Sequence, residues 1–265
     1  MNRSSQTAAS PATALATSAG ASAAARGGVH WRTVLGVFKL RISVLIMATA
    51  LGGLFIVPEG SVAPLQALVL ALSVLLASAS AGAFNQFVEA DSDRLMARTR
   101  SRAFASGALP RSFGWLLAIL ALLVFAVAMA AWVVNLTAAG FVLLGALTYA
   151  GVYTLGLKRR TPWNIVIGGL AGSFAVLAGA AAVNPQVGPL ALLLALVLFL
   201  WTPPHFWSLA IVCRDDYAAN GVPMLPAVKG IETTARAIFA HVVALVGLSL
   251  LLPLWGGGPI YLLCA

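Results

Sequence analysis

Residues 114–134 read GWLLAILALLVFAVAMAAWVV, and after a single Asn135 the chain resumes with LTAAGFVLLGALTYAGVYTLGL over 136–157. Not one charged residue falls between Arg111 and Lys158. Each half is close to the ~20 residues that a helix needs to cross ~30 Å of hydrocarbon. Working outward, similar apolar stretches occupy 42–57 (beginning upstream, near Leu35), 65–84, 164–183, 188–212 and 235–255. An eighth begins at Pro259. The expected class is all-α: a polytopic membrane bundle with seven complete spans and the start of an eighth. Composition agrees, with 61% hydrophobic and 9% charged residues, because a water-soluble domain carries about a quarter charged residues. The apolar runs are continuous rather than alternating, which excludes a transmembrane β-barrel. Disorder, collagen and a disulfide scaffold are excluded too.

Residues 1–29 form a separate tail. Ala, Ser and Thr make up 18 of the first 26 residues, without an acid. A disordered tail is the reading, with a mitochondrial transit peptide as the lesser alternative. Residues 30–265 then form one transmembrane domain. Cys213 and Cys264 are far apart and belong to no motif.

The net charge of +9 comes from 16 Lys and Arg against 7 Asp and Glu. Nucleic-acid binding is the weaker explanation, because the basic residues are confined to alternate connections. The N-terminal region holds Arg3, Arg26, Arg32, Lys39 and Arg41, and the 85–113 connection holds Arg94, Arg98, Arg100, Arg102 and Arg111. Lys158, Arg159 and Arg160 follow in the next, then Arg214, Lys229 and Arg236. The intervening connections have none. The positive-inside rule puts the N-terminus and these loops in the cytoplasm. The acids Glu89, Asp91, Asp93, Asp215, Asp216 and Glu232 lie on the same side. Topology hardly constrains acids, so their clustering at two helix ends needs its own reason.

The stretch NQFVEADSDRLMARTRSR at 85–102 carries most of the chemistry. Asn85, Glu89 and Asp93 are spaced i, i+4, i+8, an arc of about 80° over roughly 12 Å of helix. Such oxygens suit a hard cation like Mg²⁺. Arg94, Arg98 and Arg102 repeat the step, and guanidinium groups bind phosphate oxygens. A metal-diphosphate site and a solvated loop with internal salt bridges are level readings of this pattern. In YTLGLKRRTPWN at 153–164, Tyr153 and Lys158 read by themselves as an aromatic belt and ordinary inside charges. In WTPPHFWSLAIVCRDDYAANGVPMLP at 201–226, Pro203-Pro204 are expected to disturb the helix. His205 is an intramembrane ionisable group and a functional candidate, or a ring satisfying the freed carbonyls. Asp215 and Asp216 end this segment as Glu89 and Asp93 end the first, so metal ions could be held from both sides of a diphosphate.

Taken together, KLRI at 39–42, the 85–102 stretch, YTLGLKRRTPWNIVIGGLAG at 153–172 and WTPPHFWSLAIVCRDDYAANGVPMLPAVKG at 201–230 resemble the UbiA superfamily of intramembrane prenyltransferases. The WTPPHFW and DDYAANGVPMLP segments resemble its haem-farnesylating branch. The resemblance implies a helical bundle whose cavity opens to the cytoplasm and to lipid. It implies farnesyl diphosphate and haem b as substrates, Mg²⁺ as cofactor, and haem A synthase as a partner in haem A/O biosynthesis. By likeness, Asn85, Glu89 and Asp93 are the catalytic first metal motif, and Asp216, with Asp215, the second. Arg98, Arg102, Lys158, Tyr153, Lys39 and Arg41 fall on substrate-binding positions, and His205 on a porphyrin-binding one. The expected location is the bacterial inner (plasma) membrane, with the mitochondrial inner membrane as the alternative.

Departures from the pattern are definite. Glu89 and Gln86 stand where Asp is usual, and Leu40 replaces the Pro of a KPR motif. Cys213 and Tyr217 occupy the places of paired acids, and Ala175-Val176 a Pro-Pro site. Family members have nine spans. Two alternatives stay open: an aromatic or quinone-precursor acceptor, and a non-catalytic haem carrier. The carrier predicts polar groups near the bilayer midplane.

Overall fold

The computed structural model describes residues 30–57 and 60–251. The expected tail, the start of an eighth span and Cys264 lie outside the described residues. Among the described residues there are helices and connections and no strands.

In chain order the helices are α1 (Trp31–Val37), α2 (Leu40–Phe55), α3 (Pro64–Val88), α4 (Ala90–Leu95) and α5 (Phe113–Met129). Then come α6 (Leu136–Leu147), α7 (Asn164–Gly168), α8 (Leu170–Val183), α9 (Pro189–Val212), α10 (Arg214–Ala219) and α11 (Leu225–Ser249). Two of them continue as π-helical turns, α5 through Ala130–Val134 and α6 through Thr148–Leu157. Six helical stretches are long and apolar enough to cross a membrane, and α1 with α2, bent by 48°, makes a seventh. Counted by length and composition, the described residues thus hold six such helices, or seven with the bent pair taken as one span.

The bundle core is made of small side chains. Ala50, Ala77, Ala81, Ala138, Ala146 and Ala178 pack with Leu70 and Val74 where α2, α3, α6 and α8 meet. In lipid there is no hydrophobic gain from helix contact, so close van der Waals packing must hold the helices together. Gly179 of α8 shows how close: a Cβ there would collide with the Ala50 carbonyl oxygen of α2, and one at Gly53 with that of Val176. Large apolar side chains point outward instead, as Trp132 at 93% and Phe55 at 86% exposure illustrate. That inversion is expected when the surrounding solvent is hydrocarbon.

Three local expectations change. The prolines do not break α9, which runs on through Pro203 and Pro204. Pro203 and Pro204 leave the carbonyls of Phe199 and Leu200 without their i+4 amide donors, while Thr202 Oγ1 donates to the Leu198 carbonyl (2.9 Å) and Ser208 Oγ to that of Pro204 (2.7 Å) on either side. Among the described residues His205 makes no hydrogen bond to these carbonyls; its ring stacks on Trp201, with centroids 4.5 Å apart. The last span also begins earlier than its apolar stretch, at Leu225, and is kinked at Gly230, where φ is 81°.

Candidate active site

The site is built on the junction of α3 and α4. Glu89 closes the first helix and opens the second. The turn stays helical: the Glu89 amide donates to the Asn85 carbonyl (3.0 Å) and the Asp93 amide to that of Glu89 (2.8 Å). The i, i+4, i+8 spacing is thus realised without a break in phase. Asn85, Glu89 and Asp93 are all buried, at 2%, 4% and 3% exposure. Two carboxylates cannot be buried without partners, because unpaired charge in a dry site costs several kcal/mol.

The partners come from three separate segments. Lys158, just after the π-helical end of α6, reaches Glu89 Oε2 at 2.5 Å. Arg102, in the connection after α4, gives both Asp93 oxygens a hydrogen bond from Nη1, at 2.9 and 2.7 Å. Lys39, between α1 and α2, donates to Asn85 Oδ1 at 2.7 Å. Asn85 Nδ2 in turn donates to Glu89 Oε2 (2.9 Å) and Thr154 Oγ1 (3.1 Å). Three cations thus meet two carboxylates, a surplus that suits an anionic ligand.

Lys39 reaches this centre through an unusual backbone. Its φ of 48° and ψ of 43° put a non-glycine residue in the left-handed region, which costs about 1–2 kcal/mol. The stem of Lys39 then lies along Gly82, where a Cβ would stand only 3.4 Å from its Cδ. The bend between α1 and α2 and the bare face at Gly82 together deliver the ammonium.

The π-helical turns supply a second wall. Tyr149 and Tyr153 stack at 5.6 Å, and the Lys39 ammonium lies 3.3 Å from the Tyr149 hydroxyl. The Lys158 ammonium sits 6.0 Å from the centre of the Tyr153 ring. Thr154 Oγ1 donates back to the Tyr149 carbonyl at 2.8 Å. π-Helical turns in α-helices often mark functional sites. Tyr149 could have been found from its four-residue offset to Tyr153. Thr154 gave no sequence signal.

The second acidic end differs. Tyr217 of α10 is buried, and its hydroxyl lies 3.5 Å from Arg98 Nη2. Burial pushes its phenol above the ordinary value, and the opposing Arg98 charge does not cancel this. Asp215 is exposed and Asp216 half-exposed. Among the described residues neither forms an ion pair. A cavity of about 420 Å³ beside the first end is lined by Glu89, Asp91, Ser92, Thr154, Arg159 and Asn220, and neither Asp215 nor Asp216 lines it. Sequence reading passed over Arg159 and Asn220, because one looked like an inside charge and the other like a turn residue. Asp91, off the i, i+4, i+8 face of the triad, pairs with Arg94 and Arg111 at the surface. Arg41 is exposed and outside the network, and His205 is exposed on α9.

Among the described residues, no three His, Cys, Asp or Glu side chains stand together as a metal cage. Mg²⁺ does not require one: it commonly takes one or two carboxylates and leaves its other positions to water and substrate phosphates. Asn85, Glu89 and Asp93 fit that donor set.

With the geometry in place, kinship can be read. The UbiA prenyltransferase family model matches residues 45–265. A protoheme IX farnesyltransferase 2 of Paramagnetospirillum magneticum is 55% identical over 234 residues, covering 87% of this chain and 80% of that protein. The protoheme IX farnesyltransferase of Gloeobacter violaceus is 47% identical over 230 residues, covering 86% and 74%. Among solved structures, a UbiA homolog from Archaeoglobus fulgidus bound to DMAPP and Mg²⁺ superposes with a TM-score of 0.73 at 18% identity, over 87% of this chain and 81% of that one. The apo UbiA homolog from Aeropyrum pernix gives 0.71 at 21% identity, over 84% and 83%. At that identity the structures speak for the fold. The chain belongs to the UbiA prenyltransferase family. Within the family it is an enzyme that groups with the protoheme IX farnesyltransferases, at 40–55% identity over most of its length.

Proposed function

We propose that this chain transfers the farnesyl group of farnesyl diphosphate to a vinyl group of haem b with addition of water, giving haem O, diphosphate and a proton. The observation that carries this reading is the buried triad Asn85, Glu89 and Asp93, met by Lys39, Lys158 and Arg102 at one end of an apolar bundle. The names of its relatives supply the acceptor. The A. fulgidus homolog, bound to DMAPP and Mg²⁺, lends the diphosphate chemistry and the metal.

Asn85, Glu89 and Asp93 would hold Mg²⁺, which when bound would supply charge neutralisation for the departing diphosphate. The chain's own cations do the rest. Lys39, Lys158 and Arg102 stand where negative charge grows as the C1–oxygen bond breaks, and stabilising charge as it forms is usually the largest catalytic contribution. Tyr149 and Tyr153 line the wall next to the two lysines and keep water from the allylic cation. The terminal vinyl carbon attacks farnesyl C1. Water then adds at the porphyrin-bound carbon and loses a proton, leaving a hydroxyethylfarnesyl group. Asp215 and Asp216 would hold a second ion, which would supply further neutralisation of the diphosphate charge. His205 and Trp201, stacked on α9, offer the porphyrin a planar surface. The protein lies in the bacterial inner membrane with this end in the cytoplasm.

The test is to incubate membranes containing the protein with haem b, farnesyl diphosphate and Mg²⁺, and to look for haem O by mass. Product from the wild type and none from Asp93→Ala supports the reading. Undiminished product from purified, folded Asp93→Ala overturns the role of the triad. Prenylation of 4-hydroxybenzoate in place of haem b overturns the acceptor.

A further inference from the structure

Gln86 follows Asn85 on α3 but faces another way. Its Nε2 donates to the carbonyls of Gly36 (2.9 Å) and Val37 (3.0 Å), tying α1 to α3. Beside this tie lies a cavity of about 300 Å³, lined by Arg32, Thr33, Gln86, Ser101 and Arg102. Two guanidinium groups and two hydroxyls line it, and no carboxylate does. Arg102 is the shared wall: its Nη1 clasps Asp93, while Nε and Nη2 make no hydrogen bond to the described residues. Arg32 lies over the Trp31 ring at 5.4 Å and has no acidic partner among the described residues.

Such a lining selects an anion that arrives without a metal. A magnesium diphosphate needs carboxylate or amide oxygens as well as cations, and the triad on the far side of Arg102 supplies both. A carboxylate needs only donors, and guanidinium forks fit it in bidentate geometry. The reaction joins two substrates, each with an apolar body and an anionic head, so two anion sites must stand side by side.

We propose that the Arg32–Arg102 cavity binds the propionate carboxylates of the haem acceptor. This rests on the function proposed above. The propionates and vinyls occupy opposite edges of the macrocycle. Anchoring the propionate edge at Arg32 leaves the vinyl edge to extend past Arg102 toward the farnesyl cation. Arg102 then links the two substrates, touching the propionate on one side and Asp93 on the other.

The test compares wild type with Arg32→Ala, each purified in lipid nanodiscs. Both are titrated with haem b and with haem b dimethyl ester, whose propionates carry no charge. One charge-assisted hydrogen-bonded pair is worth about 1.5–3 kcal/mol, so the Kd for haem b should rise about tenfold or more. The dimethyl ester should bind both proteins alike, and the KM for farnesyl diphosphate should stay within twofold, which also reports a folded site. Ser101→Glu, on an exposed connection, should weaken haem b in the same direction. An unchanged Kd for haem b in Arg32→Ala overturns the proposal, as does an equal loss for the ester. A loss that falls on farnesyl diphosphate instead assigns the cavity to the other substrate and also overturns it. Wild type that turns over haem b while Arg32→Ala binds it normally sinks this assignment alone. Wild type that binds no haem b sinks the proposed function with it.

Discussion

The two acidic helix ends of this protein look alike in sequence and differ in space. Glu89 and Asp93 are buried, and each is held by a cation, Lys158 from the end of another span and Arg102 from the connection after α4. Asp215 and Asp216 sit on six-residue α10, solvent-accessible and, among the described residues, without an ion pair. The difference teaches where the fold has committed. A buried carboxylate must be matched by partners whose positions depend on the whole bundle, so the first end is pre-organised. An exposed carboxylate needs no such match, so the second end is free to adjust to a bound ligand.

The sharpest way to break this comparison is to remove one acid from each end. Asp93→Ala should lower haem O formation by about 1000-fold or more, since it removes a ligand oxygen and leaves Arg102 without its acceptor. Asp216→Asn should cost only about tenfold, and Asp215→Asn less. Turnover by the purified variants checks this, and equal losses at the two ends would erase the distinction.

Chelation sharpens it next. EDTA should abolish turnover yet move the melting temperature by no more than about 2 °C, because the buried acids already have protein partners. A large drop on chelation would mean that a metal, not Lys158 and Arg102, holds the first end together. Lys158→Ala probes the same pairing from the other side. Leaving Glu89 buried without its cation should destabilise the protein by about 3–5 kcal/mol, with a lower melting temperature and a raised KM for farnesyl diphosphate. Lys158→Gln, which can still donate to Glu89, should lose less stability while losing comparable affinity.

The smallest effect concerns Tyr217, where burial favours the neutral phenol. A group whose folded pKa is raised holds its stabilising contribution below its unfolded value, near pH 10, and loses it as pH climbs through the folded one. Stability of the wild type should therefore fall on the alkaline side of about pH 10, and Tyr217→Phe should flatten that limb while changing turnover only a few-fold. Melting temperature as a function of pH is the measurement.

The all-helical membrane class, the apolar stretches and the candidacy of Asn85, Glu89 and Asp93 were all legible in the linear chain. Hydrophobic length and helical spacing are local properties, and 3.6 residues per turn puts three such side chains on one face whatever surrounds them. Kinship with prenyltransferases was legible for the same reason, through short contiguous motifs. The partners of the triad were not. Lys39, Arg102 and Lys158 were named one by one as basic positions. Which acid each would hold depends on the left-handed turn at Lys39, the π-helical turns before Lys158 and the close crossing of α2 on α8. The burial of Tyr217 and the cavity beside Arg32 share that origin. They are products of contact between segments far apart in the chain, and only tertiary packing decides them.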